Sequence, residues 1–380
     1  MKSFIRSFGA GLCSSGLIVL AFSLFLYRVG EIDLDHVVAR QQTSTKGVLF
    51  CSGINHDFYA YKYSIYRTLQ PEAIAIGSSR AMEMRRRFFK TSFVNLGGCV
   101  SNVQHLERLV SDISVLPNRP RLAVLFVDFW WFNDRISSDS GKYQAVEYPR
   151  YPSLSLFGYA IGAVAAHPNW GRLIPIPNDR LGLMGILFNA GFDRFGSFYD
   201  ISTITGEVGS NDVQFKTTES GFEKGEGRFV PGRYADPRLV SRFALALDRL
   251  ESLGIHTIVV FPPLAPPICK LVARSGRFGY IGDLKTQLSN RHLSFMDFSD
   301  PQTLYSGDLR GEFFDGFHGG DVIYARIARA IAQQNTEFRQ IIDDDYLNRF
   351  IRENHGRALG STEYNEGRRE VDFLKIGVEK

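Results

Sequence analysis

Apolar residues occur along this chain in short unbroken runs: EAIAIG (72–77), SFVNLGG (92–98), RLAVLFVDF (121–129), IHTIVVF (255–261) and LSFMDF (293–298). Runs of this length without polar alternation predict strands covered on both faces, the pattern of a parallel sheet. Between them, apolar residues recur at helical spacing. This predicts helices near His56–Leu69, over AMEMRRRFF after Arg80, from Asn102, over Arg238–Leu253, within Ile268–Asn290, and from Gly320 through Ile331. Strand, turn and helix in alternation predict an α/β fold, a three-layer doubly wound parallel sheet.

The alternation is interrupted once and flanked twice. From Phe8 to Tyr27 the chain carries no charge over a length suited to a transmembrane helix. The run ends on bulky Leu24, Phe25, Leu26 and Tyr27, which predicts an uncleaved anchor over residues 1–29 rather than a removed signal. Lys2 and Arg6 before the span are matched by Arg28 and Arg40 beyond it, so the charge count leaves orientation open. The signal-like layout favours export of the globular part. Residues 30–70 form a juxtamembrane, partly helical lead-in, and the α/β core spans 71–133 and 236–338. Residues 134–235, rich in Gly, Pro, Ser and aromatics, are too long for a structureless loop and predict an inserted subdomain or cap. Residues 339–380 are polar and predict one short helix with a mobile tail.

Composition narrows the function classes. With 44 basic and 40 acidic side chains in 380 residues, the formal charge of +4 is too weak and scattered for a nucleic-acid surface. Arg85–Arg86–Arg87 reads as a solvated helix face. Cys13, Cys51, Cys99 and Cys269 have no metal-ligand spacing. Outside the cytoplasm one disulfide among them is open, with no pair singled out, and inert buried thiols are the favoured reading. No zinc or nucleotide motif is present, so no metal or cofactor is expected, and His56 and His105 have no partner pattern.

Chemistry concentrates at predicted strand ends, where open α/β sheets place their sites. The first run ends in Gly77-Ser78-Ser79-Arg80, which sets a hydroxyl at a helix start, where free N–H groups favour an anion. The second ends in Asn95-Leu96-Gly97-Gly98, small enough for close backbone approach of an oxyanion hole. The third carries Asp128 and Asn133 in DFWWFN. Asp128 reads as a brace for a neighbouring loop. Trp130 and Trp131 could stack on a sugar, though core packing is the safer expectation. Arg80 is read equally as a binder of an anionic substrate or as an ion-pair partner. Late in the chain, GEFFDGFHGG (311–320) holds Asp315 and His318 just before the last helix. A serine needs a base, and a histidine base is best oriented by a carboxylate.

These blocks resemble the SGNH hydrolase superfamily, the GDSL-like esterases and acyltransferases, through GSSR at 77–80 and Asp315-Gly316-Phe317-His318. The resemblance implies a flavodoxin-like SGNH core with Ser79 as nucleophile, His318 as base and Asp315 as orienting acid. It assigns oxyanion contacts to Gly97, Gly98 and Asn133, while Arg80 and Asp128 join them as substrate-binding candidates from their own strand-end positions. Anchor, GSSR, VDFWWFN and FFDGFH together look most like the divergent membrane-anchored branch related to teichoic-acid D-alanylation and exopolysaccharide O-acetylation proteins. The implied activity is acyl transfer to a glycan hydroxyl, or ester hydrolysis, on the periplasmic side of a bacterial inner membrane beside a membrane-bound O-acyltransferase. A catalytically degenerate accessory subunit, binding glycan or docking to such a transferase, is the alternative.

Overall fold

The structure is a computed structural model that describes residues 2–54, 58–136, 154–165, 167, 169–360, 364 and 368–378. Its central feature is a five-stranded parallel sheet of β1 (Ala73–Gly77), β2 (Phe93–Gly97), β3 (Leu122–Phe126), β4 (His256–Phe261) and β5 (Met296–Asp297). The strand order is β2-β1-β3-β4-β5, that of a doubly wound flavodoxin-like sheet, with its switch point between β1 and β3. Every residue of β1, β2 and β3 is buried, as their unbroken apolar runs require.

Helices cover this sheet and follow the expected periodicity. Val103–Ser114 starts where Asn102 Oδ1 accepts the His105 N–H at 2.8 Å, and Pro237–Ser252 starts with proline after an Asp236 cap. Asp321–Gln334 packs on the sheet through an edge-to-face contact of Tyr324 with Phe126. The region expected to hold one helix holds two, Pro266–Ser275 and Gly279–Asn290, broken at Gly276 in the left-handed region.

Four sequence expectations are corrected. AMEMRRRFF forms only two short 3₁₀ turns, Ser79–Ala81 and Arg86–Phe88. The Asn95 side-chain amide explains this, because it donates to the Ala81 and Met84 carbonyls at 2.9 and 2.8 Å, taking acceptors that a longer helix would use. Arg85 is not on a solvated face, being 4% exposed and paired with Glu83 and Asp321. The 134–235 segment does not stand apart as one insertion. Residues 145–194 cluster with residues 1–57 as one compact unit, while residues 195–380 belong with 58–144 in the unit that carries the sheet. The C-terminal region is packed rather than loose. It forms helices Thr336–Ile341 and Asp344–Glu353, and beyond them Ala358, Leu359, Phe373 and Leu374 are buried. Glu370 fastens that stretch by accepting the Ala358 and Leu359 N–H groups at 3.0 and 3.1 Å.

Within the first unit, Glu31 is buried and accepts from Ser52 Oγ at 2.6 Å, from Gly53 N at 2.9 Å and from Leu183 N, joining the N-terminal segment to residues 145–194. The N-terminal helix runs Lys2–Val29 and exposes Leu17, Ile18, Leu20 and Leu24. The expected membrane span is not shown, since among the described residues no helix is long and apolar enough to cross a membrane. Cys269 is a free thiol, and the Cys13 side chain and His56 lie outside the described residues.

Candidate active site

The site forms where β1 ends. Gly77 closes the strand against β3, where a Cβ would meet the Phe126 carbonyl oxygen at 2.8 Å, so a side chain is excluded. The tandem serines then divide their roles. Ser78 caps the following 3₁₀ turn, its hydroxyl accepting the Arg80 N–H at 3.3 Å. Ser79 stays partly exposed and places Oγ 2.8 Å from His318 Nε2, although 239 residues separate them.

His318 completes a three-residue chain. Its Nδ1 lies 2.6 Å from Asp315 Oδ2, while Asp315 Oδ1 accepts the Phe317 and His318 backbone N–H groups at 2.8 Å each. An ionised carboxylate only accepts, so Nδ1 carries the proton and Nε2 presents its lone pair to the Ser79 hydroxyl. Burial works against charge on Asp315, but His318 and the two backbone donors outweigh it and hold the carboxyl below its ordinary range. Both side chains of the Asp315–His318 pair are 25% exposed, so the site is open to a reactant.

The DGFH loop is sewn down on every side. The Gly316 N–H donates to Asp212 Oδ2 and its carbonyl accepts from Ala265 N, at 2.8 and 2.9 Å. A Cβ at Gly316 would lie 2.5 Å from Thr218 Cβ, so glycine is required by contact. Phe314 N donates to the His318 carbonyl at 2.8 Å, and Gly320 N to that of Glu312 at 2.7 Å. Gly320 itself admits no side chain, because a Cβ would fall 1.8 Å from the Ala358 oxygen.

Arg80 is a brace and not an open anion site. Buried to 2% exposure, it donates Nε–H to the Phe317 carbonyl at 2.9 Å, Nη1–H to Asp128 at 3.0 Å, and Nη2–H to the carbonyls of Pro262 and Pro263 at 2.7 Å each. Asp128 is therefore Arg80's ion-pair partner. A buried pair of this kind holds geometry more than it adds stability.

The expected oxyanion donors have other partners. Gly97 N–H donates to Asn95 Oδ1 at 2.6 Å, and Gly98 N–H to the Gly77 and Ser78 carbonyls at 2.9 Å. Asn133 donates Nδ2–H to the Val230 carbonyl at 2.6 Å and accepts from Arg135 N. The glycines instead permit close packing, since a Cβ on Gly97 would meet Met82 N at 2.7 Å. Among the described residues the Ser79 N–H has no hydrogen-bond acceptor. Trp130 and Trp131 are buried, at 7% and 4% exposure, and are not placed to stack on a sugar. Three residues essential to this architecture gave little sequence signal: Asn95 lies inside an apolar strand, Asp212 in the weakly patterned region, and Arg85 in the arginine run.

Comparison with family models, curated proteins and solved structures gives no match.

A second buried charge cluster follows the Ser79 turn in the chain. Arg85 pairs with Glu83 and with Asp321 at the start of the last core helix, and its guanidinium lies 3.9 Å from the centroid of the Tyr199 ring. Burial pushes Glu83 up to about 8 and Asp321 up to about 6, with Arg85 partly offsetting both.

Proposed function

We propose that this protein is a serine acyltransferase or esterase that works through an acyl-enzyme on Ser79. The observation that carries the reading is the continuous Ser79–His318–Asp315 contact, 2.8 and 2.6 Å, in a partly exposed loop site. In the first half-reaction Ser79 Oγ bonds to an ester carbonyl carbon and its proton passes to His318 Nε2. The bond to the leaving alcohol then breaks, and His318 returns the proton to that oxygen. In the second half His318 takes a proton from water or an acceptor hydroxyl, whose oxygen bonds to the acyl carbon; the bond to Ser79 Oγ then breaks, and His318 returns the proton to Ser79 Oγ. Asp315 keeps its charge throughout and stabilises the imidazolium.

The resemblance to the SGNH superfamily supports the same assignment and extends it: an extracytoplasmic glycan as acyl acceptor, an N-terminal anchor, and a membrane-bound O-acyltransferase as partner. The exposed Leu17, Ile18, Leu20 and Leu24 on the N-terminal helix support a lipid-facing segment. Intact-mass spectrometry after reaction with a fluorophosphonate tests the core of the proposal. One adduct is expected on the wild type and none on Ser79→Ala; an equal adduct on both, or none on either, rejects it.

One observation favours a second reading. With the Gly97, Gly98 and Asn133 donors occupied, only the Ser79 N–H is left for an oxyanion, a weak provision for acyl chemistry. A non-catalytic accessory subunit that binds glycan or docks to an acyltransferase would tolerate this. Absent aryl acetate hydrolysis, together with full glycan modification in cells carrying Ser79→Ala, would select that reading.

A further inference from the structure

Beside the DGFH loop, the helix Lys216–Lys224 and the turn Gly227–Phe229 border an open cleft of about 580 Å³. Its charged lining consists of Lys216, Lys224 and Arg228 against one carboxylate, Glu226, and all four side chains are exposed. None of the three cations has an ion-pair partner among the described residues. This differs from Arg80, Arg85 and Arg326, each of which is committed to a buried carboxylate.

The cleft reaches the catalytic loop through aromatic contacts. The Arg228 guanidinium lies 5.1 Å from the Phe317 ring centroid and 5.6 Å from that of Trp130. Phe317 in turn lies 4.1 Å, ring to ring, from His318. Phe229, next to Arg228, packs edge-on against both Phe317 and Trp130 and stacks on Phe222 at 4.0 Å. The backbone beneath Arg228 is therefore held by buried rings, while its guanidinium faces the cleft. A cation held this way, with two flexible lysines at the same opening, suits an oxyacid anion on a substrate whose ester is at Ser79.

We propose that this cleft binds an anionic group, carboxylate or phosphate, of the substrate, and that Arg228 is the specificity-determining residue. The proposal rests on the acyl-transfer reading and names its substrate class: an anionic glycan or similarly charged polymer rather than a neutral one.

Binding is measured on Ser79→Ala protein, so that turnover does not enter. Oligogalacturonate, inorganic polyphosphate and dextran are titrated calorimetrically at low and raised salt. Binding of at least one polyanion but not of dextran, weakened by salt, is expected. R228E should weaken it by about tenfold or more, whereas R352E, which makes the same charge change on the exposed face of the helix Asp344–Glu353, should change it by less than about twofold. Binding of oligogalacturonate alone assigns a carboxylate, and of polyphosphate alone a phosphate. Absence of polyanion binding, equal binding of dextran, or equal loss in R228E and R352E overturns the proposal. Phosphonate labelling of the wild type reports separately on the acyl-enzyme reading, so the two can fail independently.

Discussion

Arg80 donates its Nε–H to the Phe317 carbonyl at 2.9 Å across 237 residues of chain, so the residue after Ser79 holds the residue before His318. The same guanidinium reaches Asp128 and the Pro262 and Pro263 carbonyls. One side chain thus fixes the ends of β1, β3 and β4 and the DGFH loop together.

Arg80→Lys keeps the charge opposite Asp128 but cannot serve four acceptors in this geometry. Phosphonate labelling of Ser79 should slow by about ten- to a hundredfold, since misplacing catalytic groups by about an ångström has that order of cost. The melting temperature should fall as well, because buried acceptors lose their donors. Labelling at the wild-type rate would show that Arg80 does not position His318.

Asp212 offers a second test of loop positioning. It accepts from Gly316 N and Thr218 Oγ1 through Oδ2, at 2.8 and 2.6 Å, and from Thr218 N through Oδ1 at 2.9 Å. Asp212→Asn keeps one acceptor oxygen and turns the other into a donor facing donors. A loss of about 1–3 kcal/mol in chemical denaturation is expected, with slower Ser79 labelling.

The buried cluster of Glu83, Arg85 and Asp321 predicts a pH dependence of stability. Glu83 is raised to about 8 when folded, above the unfolded carboxyl near 4.5, so between these values the folded state holds a proton that the unfolded state has released. Stability from this group is therefore full below the unfolded value and is lost as pH rises through about 8. Asp321 acts in the same sense up to about 6. Asp315 is lowered and acts oppositely, its contribution being lost as pH falls through its folded value. Denaturation midpoints from pH 5 to 8 should decline with pH in the wild type, and Glu83→Gln should make that decline shallower. An unchanged slope would reject the assignment.

The packing of the C-terminal region is tested at Gly320. A methyl there falls 1.8 Å from the Ala358 oxygen, so Gly320→Ala must displace either the C-terminal segment or the start of the last core helix. Limited proteolysis should cut Gly320→Ala after residue 355 under conditions that leave the wild type whole, and the variant should lose about 1–3 kcal/mol.

The core strands were legible because the physics acting on them is local in sequence. Burial on both faces demands unbroken apolar runs such as LAVLF, and glycines mark where those runs turn. That Ser79, Asp315 and His318 meet was legible for a related reason: the hydroxyl, carboxylate and imidazole stand at the ends of such runs or just before a helix. The same reading failed at AMEMRRRFF, where helix-forming residues lose their carbonyl acceptors to Asn95 from the neighbouring strand. It also failed in the C-terminal region, whose polar composition concealed buried Leu374 and the Glu370 clasp.

Residue order was enough to specify a parallel α/β sheet and to bring a hydroxyl and an Asp-x-x-His loop to its carboxyl edge, since both follow from short-range pattern and the geometry of alternating strands and helices. It could not specify which groups at that edge remain free to act. Whether Gly97 and Gly98 present their N–H groups, or whether Arg80 meets a substrate, depends on acceptors brought in from remote segments. A hydrogen bond is satisfied by whichever partner the fold brings within reach, and nothing in the neighbouring residues records that choice.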